Sequence, residues 1–417
     1  MSSRQQHCNW FCYKAMALFL LMQITGCGTT QPTAGSTTAK PADEKGTVSI
    51  KLPAGESLVE VNQRIERAIN EGDTQALFAH IDIQGITAKA NKTMKALYGQ
   101  EVIKADRVKS LIGSIENDLR NHVNNQGRWK FVGTMEGTAI NSYSNSLIRI
   151  DQEDGGKDYL GLQITVDGDQ FVVEDMHRFH LSMGLAKTLE HVYSYLFRVT
   201  QYYRFAIFEG KEESTKKRNE VLLLIKEFNT HASVRDYQKL KQTYLKLPDA
   251  FKNDILLLAA LLAAGKNDDN NYNDALTLLA QYYKSKIPKL EMVDYYIYQK
   301  EYDKALELVD DFEQLIGQDA GLDLIRAGLY SLDQQFERSL QFCKRALERE
   351  PDYIDAYDML YDDFRRLKRH DDMVLVLELM QAKFGYQYDR QTFESDPDYQ
   401  AFVKSVAYQN WIKTIAQ

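Results

Sequence analysis

The chain has 417 residues, 44% of them hydrophobic and 26% charged, with a net charge of −8. That length suits two or three globular domains. The acidic balance excludes the basic footprint that nucleic-acid binding needs.

Two cations, Arg4 and Lys14, precede an apolar run from Ala15 to Ile24. The run is too short to span a bilayer and has the layout of a secretory signal. Its end, Ile24-Thr25-Gly26-Cys27, resembles the lipobox of bacterial lipoproteins. The resemblance implies cleavage before Cys27 and acylation of its thiol and amine. The alternative is an ordinary signal peptide with a chance cysteine. Loss of residues 1–26 removes two cations from the charge of −8 and leaves −10. Anionic headgroups repel such a body, so the lipid is expected to hold it to the membrane. Gly28 follows the cysteine where an aspartate is associated with inner-membrane retention. The resemblance therefore favours the outer membrane, with the body in the periplasm. Cys8 and Cys12 leave with the signal, so Cys343 is the one thiol of the body and no intramolecular disulfide or cysteine-rich zinc site is expected. Residues 27–47 hold the lipidated cysteine and a tether of Thr, Ala, Ser, Pro and Gly that cannot bury a core.

Residues 48–180 read as an α+β domain. Leu58, Val61, Ile65 and Ile69 share a helical face ended by Gly72, and Asp73 can cap a short helix through Ile81. The segment 86–98 gives no clear period. Val108, Leu111, Ile112, Ile115, Leu119 and Val123 mark an amphipathic helix over 105–123. Four strands follow, at 129–135, 146–150, 159–166 and 171–176, with glycine-bearing turns at 153–156 and 167–169. Helices before a curved antiparallel meander resemble the cone-shaped folds grouped with nuclear transport factor two. The phrase Gly72-Asp73-Thr74-Gln75-Ala76-Leu77-Phe78 adds to that likeness.

From Leu181 only helix is expected: a connector over 181–250, then repeats over 251–417. Tyr302-Asp303-Lys304-Ala305, Phe336-Glu337-Arg338-Ser339 and His370-Asp371-Asp372-Met373 stand 34 residues apart, as do Phe312, Ala346 and Met380. Tyr272-Asn273-Asp274-Ala275 echoes them at a shorter spacing. The pattern resembles the tetratricopeptide repeat and implies a solenoid whose first helices line a concave face. In that register the groove positions are Asp355, Asp358, Asp362, Arg365 and Arg366, preceded by Asp294 and Tyr298. The three aspartates at steps of three and four share one helical face. They suit either the helix dipole and a pairing with Arg365 or Arg366, or a basic partner segment.

Other chemistry is weak. Glu174, Asp175, His177 and His180 invite a metal reading, but neighbouring strand residues point to opposite faces, which favours a solvated strand end. Tyr159, Gln163, Asp175 and His177 are pocket candidates by position in the suspected cone fold, against a reading as core and rim. Cys343 reads as a packed thiol. The tyrosines at 295, 296, 298, 302, 353, 357 and 361 suit core packing or a partner surface. No nucleophile elbow, zinc-protease or phosphate-loop motif is present. The expectation is a lipid-anchored, non-enzymatic scaffold for an envelope protein or peptide, without a cofactor. The alternative is a small-molecule or lipid-binding module, with or without a hidden enzymatic activity, in the α+β domain.

Overall fold

The computed structural model describes residues 56–124, 127–134, 144–152, 156–167, 170–179, 183–202, 211–283 and 290–415. Cys27, the tether, His180 and most of both hairpin turns lie outside them. The described residues form two compact units, divided at 287/288. The layout is α+β followed by all-α.

In the first unit, α1 (Leu58–Asn70) starts at a capping box: Glu60 N–H meets Ser57 Oγ at 3.4 Å, and Ser57 N–H meets Glu60 Oε2 at 2.7 Å. Its Val61, Ile65 and Ile69 are buried, and Gly72 at φ +93 ends it, a conformation that favours glycine. Helices α2 (Gln75–Phe78), α3 (Ile83–Tyr98) and α4 (Ala105–Asn124) follow. The segment without a clear period is thus the helix α3, capped by Asp82 and closed by left-handed Gly99.

The sheet has five antiparallel strands in sequence order: β1 (Arg128–Thr134), β2 (Ser146–Asp151), β3 (Lys157–Asp167), β4 (Gln170–Arg178) and β5 (Met183–Gly184). Four strands were expected, with helix from Leu181. The fifth is two residues pairing with His177 and Arg178, too short for a period of two to register in sequence. Ile148, Ile150, Leu160, Leu162 and Met176 fill one face. The edges are covered. Side chains of α1 take the outer donors of β1: Trp129 N–H gives to Asn70 Oδ1 at 2.9 Å and Phe131 N–H to Glu66 Oε2 at 2.6 Å. On β4, Val173 N–H gives to His80 O at 2.9 Å. Unpaired edge donors would otherwise recruit another strand.

Helix α5 (Leu185–Tyr202) packs on α3 through Thr93–Glu190 (2.8 Å) and the Tyr98–Phe197 rings. The same unit continues with α6 (Lys211–Ser233), α7 (Tyr237–Lys246), α8 (Asp249–Lys252), α9 (Ile255–Gly265) and α10 (Asp269–Tyr283). The run from 249 to 265 is two helices, because the Asp254 carboxylate caps a fresh start by accepting from Leu256 N–H at 3.0 Å. All eleven residues of α9 are buried, so its apolar run is core. No helix among the described residues is long and apolar enough to cross a membrane. A Cβ on Gly265 would stand 2.8 Å from the backbone oxygen of Asn271. Gly265→Ala is therefore expected to push α9 off α10 and cost about 1–3 kcal/mol, read as a lower urea midpoint with unchanged slope.

The second unit contains α11 (Glu291–Tyr298), α12 (Tyr302–Ile316), α13 (Ala320–Leu332), α14 (Phe336–Arg349), α15 (Ile354–Arg366) and α16 (His370–Phe384). A short segment of α17 (Arg390–Ser395), α18 (Gln400–Val403) and α19 (Val406–Ile415) closes it. The pairs α11/α12, α13/α14 and α15/α16 are hairpins with one turn geometry. Lys300, Gln334 and Lys368, 34 residues apart, sit at φ 58, 61 and 57. In each, the next N–H reaches back five residues: Glu301 to Tyr296, Gln335 to Tyr330, Arg369 to Phe364, at 2.8–2.9 Å. The first unit repeats the turn at Arg235 (φ 55) between α6 and α7, inside the segment read as a connector. Ala305, Ser339, Ala346 and Met373 are fully buried between helices, where small or pliable side chains permit close approach.

Candidate functional site

The face of α15 carries the expected acids. Asp355 is half-buried, Asp358 is exposed, and Asp362 keeps 44% of its side-chain surface. Surrounding protein, and then the charges of Asp355 and Asp362, push the Asp358 carboxyl up to about 6, although it remains open to water. Partial desolvation and two like charges each favour the neutral carboxyl. The Asp362–Arg365 pair is loose, at 3.4 Å, and partly solvated. The guanidinium of Arg365 lies 5.7 Å from the Tyr399 ring, and that of Arg366 lies 5.6 Å from Phe336.

The segment after α16 brings tyrosines to these acids. Burial, and then the charge of Asp358, raises the Tyr388 hydroxyl, while Asp362 acts on Tyr399 in the same direction. Behind them Phe393 meets Tyr388, Tyr399, Phe402, Tyr408 and Trp411 at centroid distances of 5.4–6.2 Å. The result is three carboxylates along a helix, with aromatic rings beside them. Such a surface suits a cation with an apolar stem.

Other candidates fall elsewhere. Asp294 is 1% exposed, in a first turn where Glu291, Met292 and Val293 are buried too. An interior acid cannot meet a partner, and this corrects its place among the groove residues. Tyr298 is half-buried. Tyr353 and Tyr357 are buried, with the Tyr357 hydroxyl donating to Pro351 O at 2.9 Å, which favours core packing for them. Cys343 is fully buried, and burial pushes its thiol up.

In the sheet, the register pairs Gln163 with Asp175 and Gly161 with His177, so Tyr159, Gln163, Asp175 and His177 do share one face. Asp175 is committed to structure: its Oδ1 accepts Leu185 N–H at 2.7 Å and opens α5, while burial pushes the carboxyl up. Glu174 sits at the bulge, accepting from Thr165 Oγ1 at 2.7 Å and pairing with Lys89 at 3.6 Å. Among the described residues no three His, Cys, Asp or Glu side chains gather as a metal would require.

Buried polar clusters escape the sequence reading, two of them in the second unit. Asp323, with a side chain 1% exposed, meets Arg326, Arg345 and Arg349, and Arg326 continues to Asp310 and Glu313 at 2.7 and 2.6 Å. Asp363, fully buried on α15, accepts from Ser331 Oγ at 2.6 Å. The signal for the first is a charged pair three apart inside the apolar run 320–329. No protein-family model, curated protein or solved structure matches the chain.

Proposed function

We propose that the protein is a lipid-anchored envelope scaffold whose helical repeats hold a basic segment of another envelope protein. The lipobox-like residues ending at Cys27 support the anchor and an outer-membrane, periplasm-facing location. The 34-residue recurrence of one turn geometry supports a solenoid of tetratricopeptide type. The observation that carries the binding role is Asp358, exposed between Asp355 and Asp362 and flanked by Tyr388 and Tyr399. Like charges at three- and four-residue steps cost about 0.2–0.5 kcal/mol per pair, a cost that an incoming cation offsets.

Affinity capture from detergent-solubilised envelopes tests this, using the full chain and its Asp358→Lys/Asp362→Lys variant. The wild type is expected to retain a partner that rising salt releases. The variant is expected to lose at least tenfold of it with helix content unchanged. Capture is also expected to weaken as pH falls through about 6, because a protonated Asp358 no longer attracts a cation. Equal capture by both proteins at low salt refutes the reading. A second reading, a small-molecule or lipid-binding module in the first unit, draws on the shared sheet face of Tyr159, Gln163 and His177. Saturable ligand binding by the charge-reversed variant would favour it.

A further inference from the structure

Asp363 lies on α15 one residue beyond Asp362 but on the opposite side, fully buried. One carboxyl oxygen accepts from Ser331 of α13 at 2.6 Å, and the other, also buried, makes no hydrogen bond of normal geometry, Ser339 of α14 being the hydroxyl that acts on it. From α14, Ser339 and Cys343 face it. The residues that α16 adds to this core, Met373, Val376, Leu377 and Met380, are apolar. Among the described residues no ion pair joins Asp363 to a cation. The charges that act on it are on its own helix: Arg366, an exposed residue, and Asp362, whose like charge disfavours ionisation of Asp363. A carboxylate without a bonded cation is costly to bury ionised, whereas its protonated form can donate from one oxygen while accepting at the other. Burial accordingly raises its proton affinity, against the smaller effects of Ser331, Ser339 and Arg366.

We propose that Asp363, with Ser331, Ser339 and Cys343, is a proton-operated latch between the α13/α14 and α15/α16 hairpins, tight when Asp363 is protonated and loosened when it ionises. The inference does not depend on the scaffold reading. The sign follows from linkage: a carboxyl that binds its proton more tightly folded than unfolded stabilises fully below the ordinary carboxylate range. That contribution is lost as pH rises through the raised folded value. Because α15 also carries Asp355, Asp358 and Asp362, loosening would alter the seat of the acidic face.

Cys343 supplies a built-in reporter, since it reacts only when the cluster opens. Its labelling by a thiol reagent, followed at the Cys343 peptide by mass spectrometry, is compared in the full chain and in Asp363→Asn. The amide imitates the protonated acid and cannot ionise. Both proteins carry Asp358→Asn, so that the exposed carboxyl does not contribute. The rate ratio of parent to Asp363→Asn cancels the reactivity of the exposed thiol. It is expected to rise roughly three- to tenfold between about pH 4.5 and pH 8; a ratio independent of pH overturns the proposal. If Asp363→Asn does not fold, amide exchange of α13 and α15 in the Asp358→Asn parent, corrected for intrinsic rates, decides. Several-fold stronger protection at about pH 5 than at pH 7.5 supports the latch, and equal protection overturns it.

Discussion

Asp323→Ala is expected to destabilise the second unit by about 3 kcal/mol, near the lower end of what breaking a buried ion pair costs. Asp323 Oδ1 accepts from Arg345 Nε and Oδ2 from Arg349 Nε, both at 2.8 Å, with Arg326 Nη1 at 3.5 Å. The arginines at 345 and 349 keep 41% and 31% of their side-chain surface and can turn to water. Arg326 keeps only 4% and cannot, but Asp310 and Glu313 still hold it. That residual pairing places the cost at the lower end. A joint Asp323→Leu/Arg326→Met change removes both buried charges and should be milder than the single substitution. Urea unfolding of the three proteins orders them, and a wild-type midpoint for Asp323→Ala would show that the network carries no stability.

On the lipobox reading, Cys27→Ser is expected to abolish lipid attachment and leave an unprocessed or soluble form. Each acyl chain contributes about 0.8 kcal/mol per buried CH₂, and two or three chains give an anchor that one alone does not. The acidic body adds no attraction to anionic lipid, so nothing replaces the lost chains. Palmitate labelling should vanish, with the variant recovered as an unprocessed or a soluble species. Persistent labelling of Cys27→Ser would contradict the lipobox reading.

Periodicity makes α4 legible, because its apolar residues recur over twenty positions. Alternation and glycine turns also make the four longer strands legible, although β2 is buried along its whole length and register shifts interrupt β1 and the β3/β4 pair. Periodicity fails where an element spans no more than one period, as in β5, and where a polar residue does a local job, as Asp254 does in restarting a helix. The acids of α15 could be read from their spacing. The tyrosines beside them could not, since residues 388 and 399 lie past the last repeat unit. The burial of Asp294 was equally hidden, because a first-turn acid reads as solvated in any helix. Asp323 and Asp363 are a third case. Sequence shows a charge in an apolar neighbourhood, but only the fold shows whether arginines or hydroxyls meet it.

The recurring left-handed turn makes this part of the chain divisible. Lys300, Gln334 and Lys368 each cost about 1 kcal/mol of steric strain, yet the same corner is rebuilt at every pitch. Excision of residues 301–334 would join Lys300 to Gln335 and restore a corner already present, with α14 taking the place of α12. Growth or shrinkage by whole 34-residue pitches thus keeps a left-handed residue at each corner of this unit. Gene duplication acting on such a unit is channelled toward one step length.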